Sequence, residues 1–205
     1  MSTKEKIEIT ATALFNRKGI NNVTLREVAK TLGISYGNVT YHFKTKNHLI
    51  SEIYKKMLIE TNEILKSFDY QNMFSAILNA PKNSYRISMK YLFFYVDYIE
   101  IRRNYKELFA QAEKENAKRK EGFLKILQTL QTQGILRKEL KNEDLDYLMD
   151  LSGAMRTFFF INLSPTDFGS KELECKYIVY INKLIYPYLT KKGRLEFHSY
   201  GGAKG

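Results

Sequence analysis

The chain has 205 residues, and its 44% hydrophobic and 27% charged residues are typical of a folded globular protein of one or two domains. Its 33 basic and 22 acidic residues give a formal net charge of +11, which favours nucleic acid or an anionic membrane surface as a partner. The single cysteine, Cys175, excludes an internal disulfide, and residues 1–10 lack a secretory pattern. Because the longest apolar run has only six residues, we expect a cytoplasmic protein without a membrane span.

The amino-terminal part of the chain predicts four helices. Thr24 and Glu27 match a capping box that opens the second of them, and Gly33 is expected to end it. The predicted helices run from about residue 3 to Gly19, from Thr24 to Gly33, from Ser35 to about Tyr41, and from about Lys46 to about residue 66. The apolar positions expected to form their core are Ile7, Ala11, Leu14, Phe15, Leu25, Val28, Ala29, Leu32, Leu49, Ile50, Ile53, Met57 and Ile64.

The remaining chain also has helical spacing, so that the predicted fold class is all-α. Residues 72–84 contain Pro81 and several small polar residues, which indicates a connection between helices. A loop is expected around Pro165, Phe168 and Gly169, and residues 191–205, with four glycines, are expected to form a flexible tail. The predicted helices of this part cover about residues 85–103, 113–133, 142–163 and 171–189.

Residues 24–43 have the order helix, glycine turn, short helix, which is typical of a helix-turn-helix motif. Gly33 would supply the positive φ that the tight turn requires. The outward positions of the short helix include no aliphatic and no acidic side chain, which suits a groove lined by phosphates: Ser35, Tyr36, Gly37, Asn38, Thr40, Tyr41 and His42. Residues 1–50 carry eight Lys or Arg against three Glu, so this part of the chain is basic.

Three runs in this region, TLREVA at 24–29, LGIS at 32–35 and VTYHFKTK at 39–46, resemble the amino-terminal domain of the TetR family of bacterial transcriptional regulators. The resemblance covers about residues 5–65. It implies an amino-terminal three-helix helix-turn-helix DNA-binding domain at 1–50, followed by a connecting helix to about residue 66. It also implies a carboxy-terminal helical bundle at 51–190 that binds an effector and forms a homodimer.

The resemblance further implies which residues of the short helix contact DNA. Residues 36–38 would face base edges, and residues 40–42 would lie against the sugar-phosphate backbone. Thr40 stands where the family often has an aromatic residue, so we expect a smaller backbone contact there.

Other positions would contact phosphates. Lys46 would do so at the start of the fourth helix, and Thr24 and Arg26 would do so from the second helix. No metal or cofactor is expected, because His42 and His48 are six residues apart without further ligands at suitable spacing. The chain also shows no nucleophile–base pair, so we do not expect an enzyme.

The predicted helix at 85–103 carries polar-tipped side chains at i, i+3, i+7, i+10 and i+14: Ser88, Tyr91, Tyr95, Tyr98 and Arg102. This helix is apolar nearly all round and is expected to be buried. Buried tyrosine hydroxyls need partners, which a small-molecule effector or water would supply. A plain aromatic core is the alternative.

Arg156 lies among apolar residues of segment 151–161, where an unpaired guanidinium group would be costly. Three environments remain open for it. It pairs with Asp97 or Asp150, it binds an anionic effector, or it reaches solvent.

The last two predicted helices are expected to form the dimer. Their apolar stripe is too wide for one partner helix, so two pairs would join in a four-helix interface. The stripe consists of Ile178, Ile181, Leu184, Ile185 and Tyr188.

We therefore expect a homodimeric, sequence-specific regulator in the bacterial cytoplasm that binds double-stranded operator DNA. We expect it to act as a repressor that an unknown small molecule releases. An effector-independent architectural DNA-binding protein is the first alternative. A helical small-molecule or lipid carrier, or an enzyme, is the second.

Overall fold

The computed structural model describes residues 1–163 and 169–200, and over these residues the chain is helical without a strand, as the sequence predicts. The helices are α1 Thr3–Lys18, α2 Leu25–Leu32, α3 Tyr36–His42, α4 Lys46–Lys66, α5 Met73–Lys90, α6 Phe93–Val96, α7 Tyr98–Asn104, α8 Lys106–Thr132, α9 Asn142–Ile161, α10 Lys171–Ile185 and α11 Lys191–Ser199. A short 3-10 turn follows α10 at Tyr186–Tyr188. Among the helices described, none is long and apolar enough to cross a lipid bilayer.

The chain forms two compact units. The first contains residues 1–63 and 87–111, and the second contains 64–86 together with the described residues from 112 onward. The first unit is therefore larger than the DNA-binding domain predicted at 1–50. Its core includes the apolar positions predicted on α1 and α2, except Leu32, which is partly exposed, and on α4 it buries Leu49, Ile50 and Ile53.

The second unit has its own core. Three residues of α5, Phe74, Ile77 and Leu78, lie at i, i+3 and i+4 and are buried in it. The predicted connection at 72–84 is wrong, because these residues belong to one continuous helix with Pro81 inside it. Burial of this apolar stripe outweighs the hydrogen bond that a proline inside a helix gives up. The other members of the core are Leu127, Leu130, Ile135, Leu136, Leu145, Leu148, Ile185, Leu189 and Phe197.

The single helix predicted at 85–103 is also wrong, because the chain turns at residues 91–92 and then forms α6 and α7. The side chain of Asn16 on α1 explains the turn. Its Nδ2 donates to the carbonyl of Lys90 at 2.9 Å, and its Oδ1 accepts from the N–H of Phe93 at 3.0 Å. The amide thus binds two backbone groups that an uninterrupted helix would pair internally.

The flexible tail predicted at 191–205 is wrong for residues 191–199, which form α11. Phe197 is only 2% exposed, and Thr190 caps the helix by accepting from the N–H of Gly193 at 3.0 Å. A Cβ at Gly193 would lie 2.4 Å from the carbonyl oxygen of Ile135, so this close approach of two backbones requires glycine. Pro165, Phe168 and residues 201–205 lie outside the described residues.

Candidate nucleic-acid interface

The turn between α2 and α3 has helix-turn-helix geometry. Thr24 Oγ1 caps α2 by accepting from the N–H of Glu27 at 3.2 Å, and Gly33 ends the helix with φ at +69°. The predicted role of Gly33 is confirmed, because side-chain-bearing residues rarely adopt this conformation. Ser35 then caps α3 by accepting from the N–H of Asn38 at 3.1 Å.

Helix α3 has an apolar face in the core and a polar, aromatic face outside. Val39 and Phe43 are 0% exposed, whereas Tyr36 is 46% and Tyr41 83% exposed. Asn38 is exposed as well. This arrangement has the geometry of a recognition helix, whose outer side chains contact base edges in the major groove.

The remaining predicted residues of α3 lie on or beside this face. Gly37 is exposed, and His42 is half-buried with its ring edge-on to Tyr41 at 5.1 Å between ring centroids. The Thr40 hydroxyl lies 3.2 Å from the carbonyl oxygens of both Tyr36 and Gly37. Because Thr40 donates its proton within the helix, it has only lone pairs to offer to a partner.

Arg26, Tyr36 and Lys46 border one concave surface beside α3, with a volume of about 350 Å³. The Arg26 guanidinium group lies over the Tyr36 ring, 5.3 Å from its centroid, which is a cation–π contact. The structure thus places Tyr36, which is predicted to face base edges, beside Arg26 and Lys46, which are predicted to contact phosphates. The lining is completed by Val23, Thr24 and Leu25.

Lys46 has a second contact that the sequence did not indicate. Its Nζ donates to the carbonyl of Ile20 at 2.8 Å, and the N–H of Ile20 donates to Asp97 Oδ2 at 2.8 Å. Ile20 is completely buried, so both of its backbone groups need such partners. The backbone of Ile20 thus connects Lys46, at the start of α4, to Asp97, which lies between α6 and α7.

Two carboxyl groups near this surface have shifted pKa values. Burial raises the pKa of Asp97, the hydrogen bond from Ile20 opposes that rise, and the negative charge of Glu100 adds to it. The pKa of Glu27 is lowered, chiefly by its hydrogen bond from Lys18. Because this ion pair neutralises the one acidic residue of α2, the charge on α2 that remains unpaired is positive.

The residues predicted for an effector pocket divide between the two units. All five stripe residues have protein partners within the first unit. Ser88 Oγ donates to the Tyr95 hydroxyl at 2.8 Å, and the Tyr91 hydroxyl donates to Glu60 at 2.9 Å. Protein groups therefore supply contacts that a ligand was expected to supply, and burial, with the Glu60 contact, raises the pKa of Tyr91.

The other two stripe residues contact one ring. Tyr98 packs against Phe109 with 5.7 Å between centroids, and the exposed Arg102 lies over the same ring at 5.5 Å. Tyr98 and Arg102 thus both pack on an aromatic ring of the first unit. Such packing is what the alternative of a plain aromatic core predicts.

Arg156 is half-buried in the second unit. Its predicted ion pair is wrong for residues 1–163 and 169–200, in which no carboxylate pairs with it. Asp150 pairs with Lys120 at 2.7 Å, and Asp97 accepts from Ile20.

The predicted dimer stripe is partly used inside the chain. Ile181 and Ile185 are each 6% exposed, so neither is available to a partner subunit, and Ile178, Leu184 and Tyr188 are half-buried. Helices α9 and α10 instead expose other large side chains. These are Tyr147 at 61%, Phe158 at 67%, Ile161 at 45% and Tyr180 at 43%.

Within the described part of the chain, no group of three or more His, Cys, Asp or Glu side chains is placed to hold a metal ion. The rings of His42 and His48 have aromatic neighbours. Both rings pack against Phe43, with centroid distances of 6.5 and 5.6 Å.

Two family models match consecutive parts of the chain. Residues 10–53 match the model of bacterial regulatory proteins of the TetR family, and residues 54–197 match that of the bacterial transcriptional repressor TetR. The first match contains α2 and α3 with the turn between them. The second covers most of the chain.

Two curated relatives are similar to this chain. The probable HTH-type transcriptional regulator YttP of Bacillus subtilis is 41% identical over 59 residues, which are 27% of this chain and 28% of YttP. The biofilm operon icaADBC HTH-type negative transcriptional regulator IcaR of Staphylococcus aureus is 29% identical over 108 residues, which are 53% of this chain and 52% of IcaR. The chain thus aligns with about half or less of each of these relatives.

A solved structure is similar over nearly the whole length. The chain superimposes on a TetR-family transcriptional regulator from Marinobacter aquaeolei with a TM-score of 0.83, covering 97% of both chains at 23% identity. At this identity the likeness shows the fold. That fold agrees with the predicted amino-terminal helix-turn-helix followed by a helical domain.

Proposed function

The chain belongs to the TetR family of bacterial transcriptional regulators, and from this premise we propose that it is a homodimeric repressor of transcription that a small molecule releases from operator DNA. The exposure pattern of α3 carries the proposal. Buried Val39 and Phe43 hold the helix to the core, while Tyr36, Asn38 and Tyr41 remain outside. The relatives described above are transcriptional regulators, and IcaR is named as a negative one.

The proposed DNA contacts follow from the positions of the side chains. Tyr36, Gly37 and Asn38 read base edges, whereas Thr40, Tyr41 and His42 lie against the backbone. Thr24, Arg26 and Lys46 line the concave surface beside Tyr36, and Ser35 is exposed at the start of α3. Because the proposed partner is operator DNA in the bacterial chromosome, we expect the protein to act in the cytoplasm.

The proposed dimer uses the exposed apolar side chains of α9 and α10. Large aromatic and aliphatic side chains that remain exposed on two packed helices are typical of a surface that another subunit covers. Phe158 and Tyr147 are the most exposed members, at 67% and 61%. Two copies joined here would each insert one α3 into successive major grooves of a near-palindromic operator.

The test begins with selection of genomic DNA fragments that the protein retains. Fluorescence anisotropy then compares the best fragment with a scrambled version of the same length, and sedimentation gives the number of chains on each fragment. We expect clear preference for the selected fragment and two chains bound or a multiple of two. Equal affinity for both fragments would support the architectural alternative, because such a protein binds any sequence.

Asn38→Ala sharpens this test. Loss of an amide that reads a base should reduce the preference for the selected fragment by about 1–3 kcal/mol. Asn62→Ala is the matched control, because Asn62 is exposed on α4 outside the α3 surface. Unchanged discrimination in the Asn38 variant would remove this residue from the proposed readout.

A further inference from the structure

Among residues 1–163 and 169–200, Arg156 on α9 donates only to hydroxyl groups. Its Nη1 donates to Ser84 Oγ at 2.6 Å and to the Tyr177 hydroxyl at 3.0 Å, and its Nε donates to Ser152 Oγ at 3.2 Å. All four residues belong to the second unit. These neutral groups hold the guanidinium plane in place, and no carboxylate in residues 1–163 or 169–200 compensates its positive charge.

The hydroxyl protons of Ser84 and Tyr177 are already used in hydrogen bonds. Ser84 Oγ donates to the carbonyl of Pro81 at 3.0 Å, so in the 3.0 Å contact between Ser84 and Tyr177 it is Tyr177 that donates. Arg156 Nη2, in contrast, donates no hydrogen bond to any residue in 1–163 or 169–200. Within these residues, the Nη2 edge of the guanidinium group therefore remains able to donate.

Aromatic rings surround the anchored side. The Arg156 guanidinium carbon lies 5.9 Å from the centroid of the Tyr177 ring, and Tyr85, Phe159 and Phe160 all pack against that ring at 5.0 to 5.4 Å. Tyr85, Phe160 and Tyr177 are buried. Electrostatic attraction is stronger beside such an apolar wall than in water, because the wall excludes solvent from one side of the charge.

We propose that Arg156 is the anion-binding residue of the effector site and that the effector is an organic carboxylate with a flat apolar body. The proposal rests on the proposed function, because it assumes a released repressor. A planar guanidinium group with a free edge matches the two oxygens of a carboxylate. Phe159, which is half-buried beside Tyr177, supplies the ring on which a flat apolar body packs.

Ser84 lies on α5, and its contact with Arg156 holds this helix to α9 within the second unit. A carboxylate that draws Arg156 away from Ser84 would break the 2.6 Å contact that joins α9 to α5. An effector changes DNA affinity only to the extent that it prefers one of the two arrangements.

The test uses the full chain and three acids, benzoate, cinnamate and 2-naphthoate, each paired with its neutral amide. Calorimetry and thermal unfolding measure binding to the wild type. We expect at least one acid to bind at least tenfold more tightly than its amide. If no acid at millimolar concentration binds better than its amide, the proposal is wrong.

Variants then place the site. Arg156→Gln should abolish the preference for the acid, Arg156→Lys should retain part of it, and Ser84→Ala should weaken it. Arg137→Gln is the matched control on an exposed arginine of the same unit and should behave like the wild type. Circular dichroism checks that each variant is folded, and a preference that survives in folded Arg156→Gln overturns the assignment.

The last measurement separates this proposal from the proposed function. Operator affinity of the wild type and of Arg156→Gln is compared without any acid and with the acid that binds. Both proposals are supported if the two proteins bind the operator equally well without acid and if the acid releases only the wild type from the operator. Binding of the acid at Arg156 without any change in operator affinity overturns the effector assignment and leaves DNA binding intact. 2-Naphthyl phosphate is the comparison ligand, and tighter binding of it than of 2-naphthoate overturns the choice of a carboxylate.

Discussion

The two units of the molecule place their polar side chains in opposite ways. In the first unit, the half-buried side chains of Asp97 and Lys46 bind backbone atoms of Ile20, and the side chains of α3 that face outward are left to a partner. In the second unit, a cation is held among aromatic rings, while large apolar residues such as Phe158 are exposed. Polar groups inside the first unit are therefore satisfied by backbone atoms, whereas Arg156 of the second unit has no carboxylate partner within residues 1–163 and 169–200.

The largest expected effect tests whether the two faces of α3 are really separate. Phe43→Ala should lower the free energy of unfolding by about 3–5 kcal/mol, because it removes a completely buried ring. Tyr41→Ala should leave stability within about 0.5 kcal/mol, because that ring is 83% exposed, and should weaken DNA binding instead. Chemical denaturation and anisotropy measure the two quantities. Similar losses of stability in both variants would contradict the separation.

A smaller effect is expected where the interior polar groups bind backbone. Asp97→Ala should cost about 1–3 kcal/mol of stability, because the buried N–H of Ile20 loses its acceptor. Asp97→Asn retains an acceptor and should recover most of that loss. Denaturation of both variants at neutral pH checks the expectation, which fails if alanine and asparagine are equally destabilising.

The raised pKa of Asp97 adds a dependence on pH. The folded state holds this proton more tightly than the unfolded state, so the favourable contribution is present below the ordinary aspartate pKa. It is lost as the pH rises through the raised pKa. Relative to Asp97→Asn, which does not ionise, the wild type should therefore lose stability over this window. A constant difference between the two proteins at every pH would show that Asp97 does not titrate in this way.

The smallest effect concerns Lys46, whose ammonium group has a backbone partner and a proposed phosphate partner. Lys46→Gln retains a donor for the Ile20 carbonyl but removes the charge. The slope of log affinity against log salt should fall by about one, with equal weakening for all DNA sequences. Lys138→Gln, at an exposed lysine of the second unit, is the control and should keep the wild-type slope.

The separation along the chain between interacting residues explains which features the sequence could predict. The caps at Thr24 and Ser35 and the turn at Gly33 lie within a dozen residues, so short patterns indicate them. The turn at residues 91–92 depends on Asn16, which is 77 residues from Phe93 in the chain, and Arg156 finds Ser84 at a separation of 72. No local pattern contains such partners. The outward surface of α3 was accessible to sequence reasoning, whereas the environment of the effector residues was not.

The side chain of Asn16 has one further consequence. The amide of Asn16 carries its donor and its acceptor on two separate atoms, and here both are used on the two sides of the turn at residues 91–92. The bend beyond Lys90 therefore leaves neither of these two peptide groups without a hydrogen-bond partner, which keeps its enthalpic cost low. Since one amide serves both segments, α1 and the bend move in concert or lose their shared bonds together, and their thermal fluctuations should be correlated.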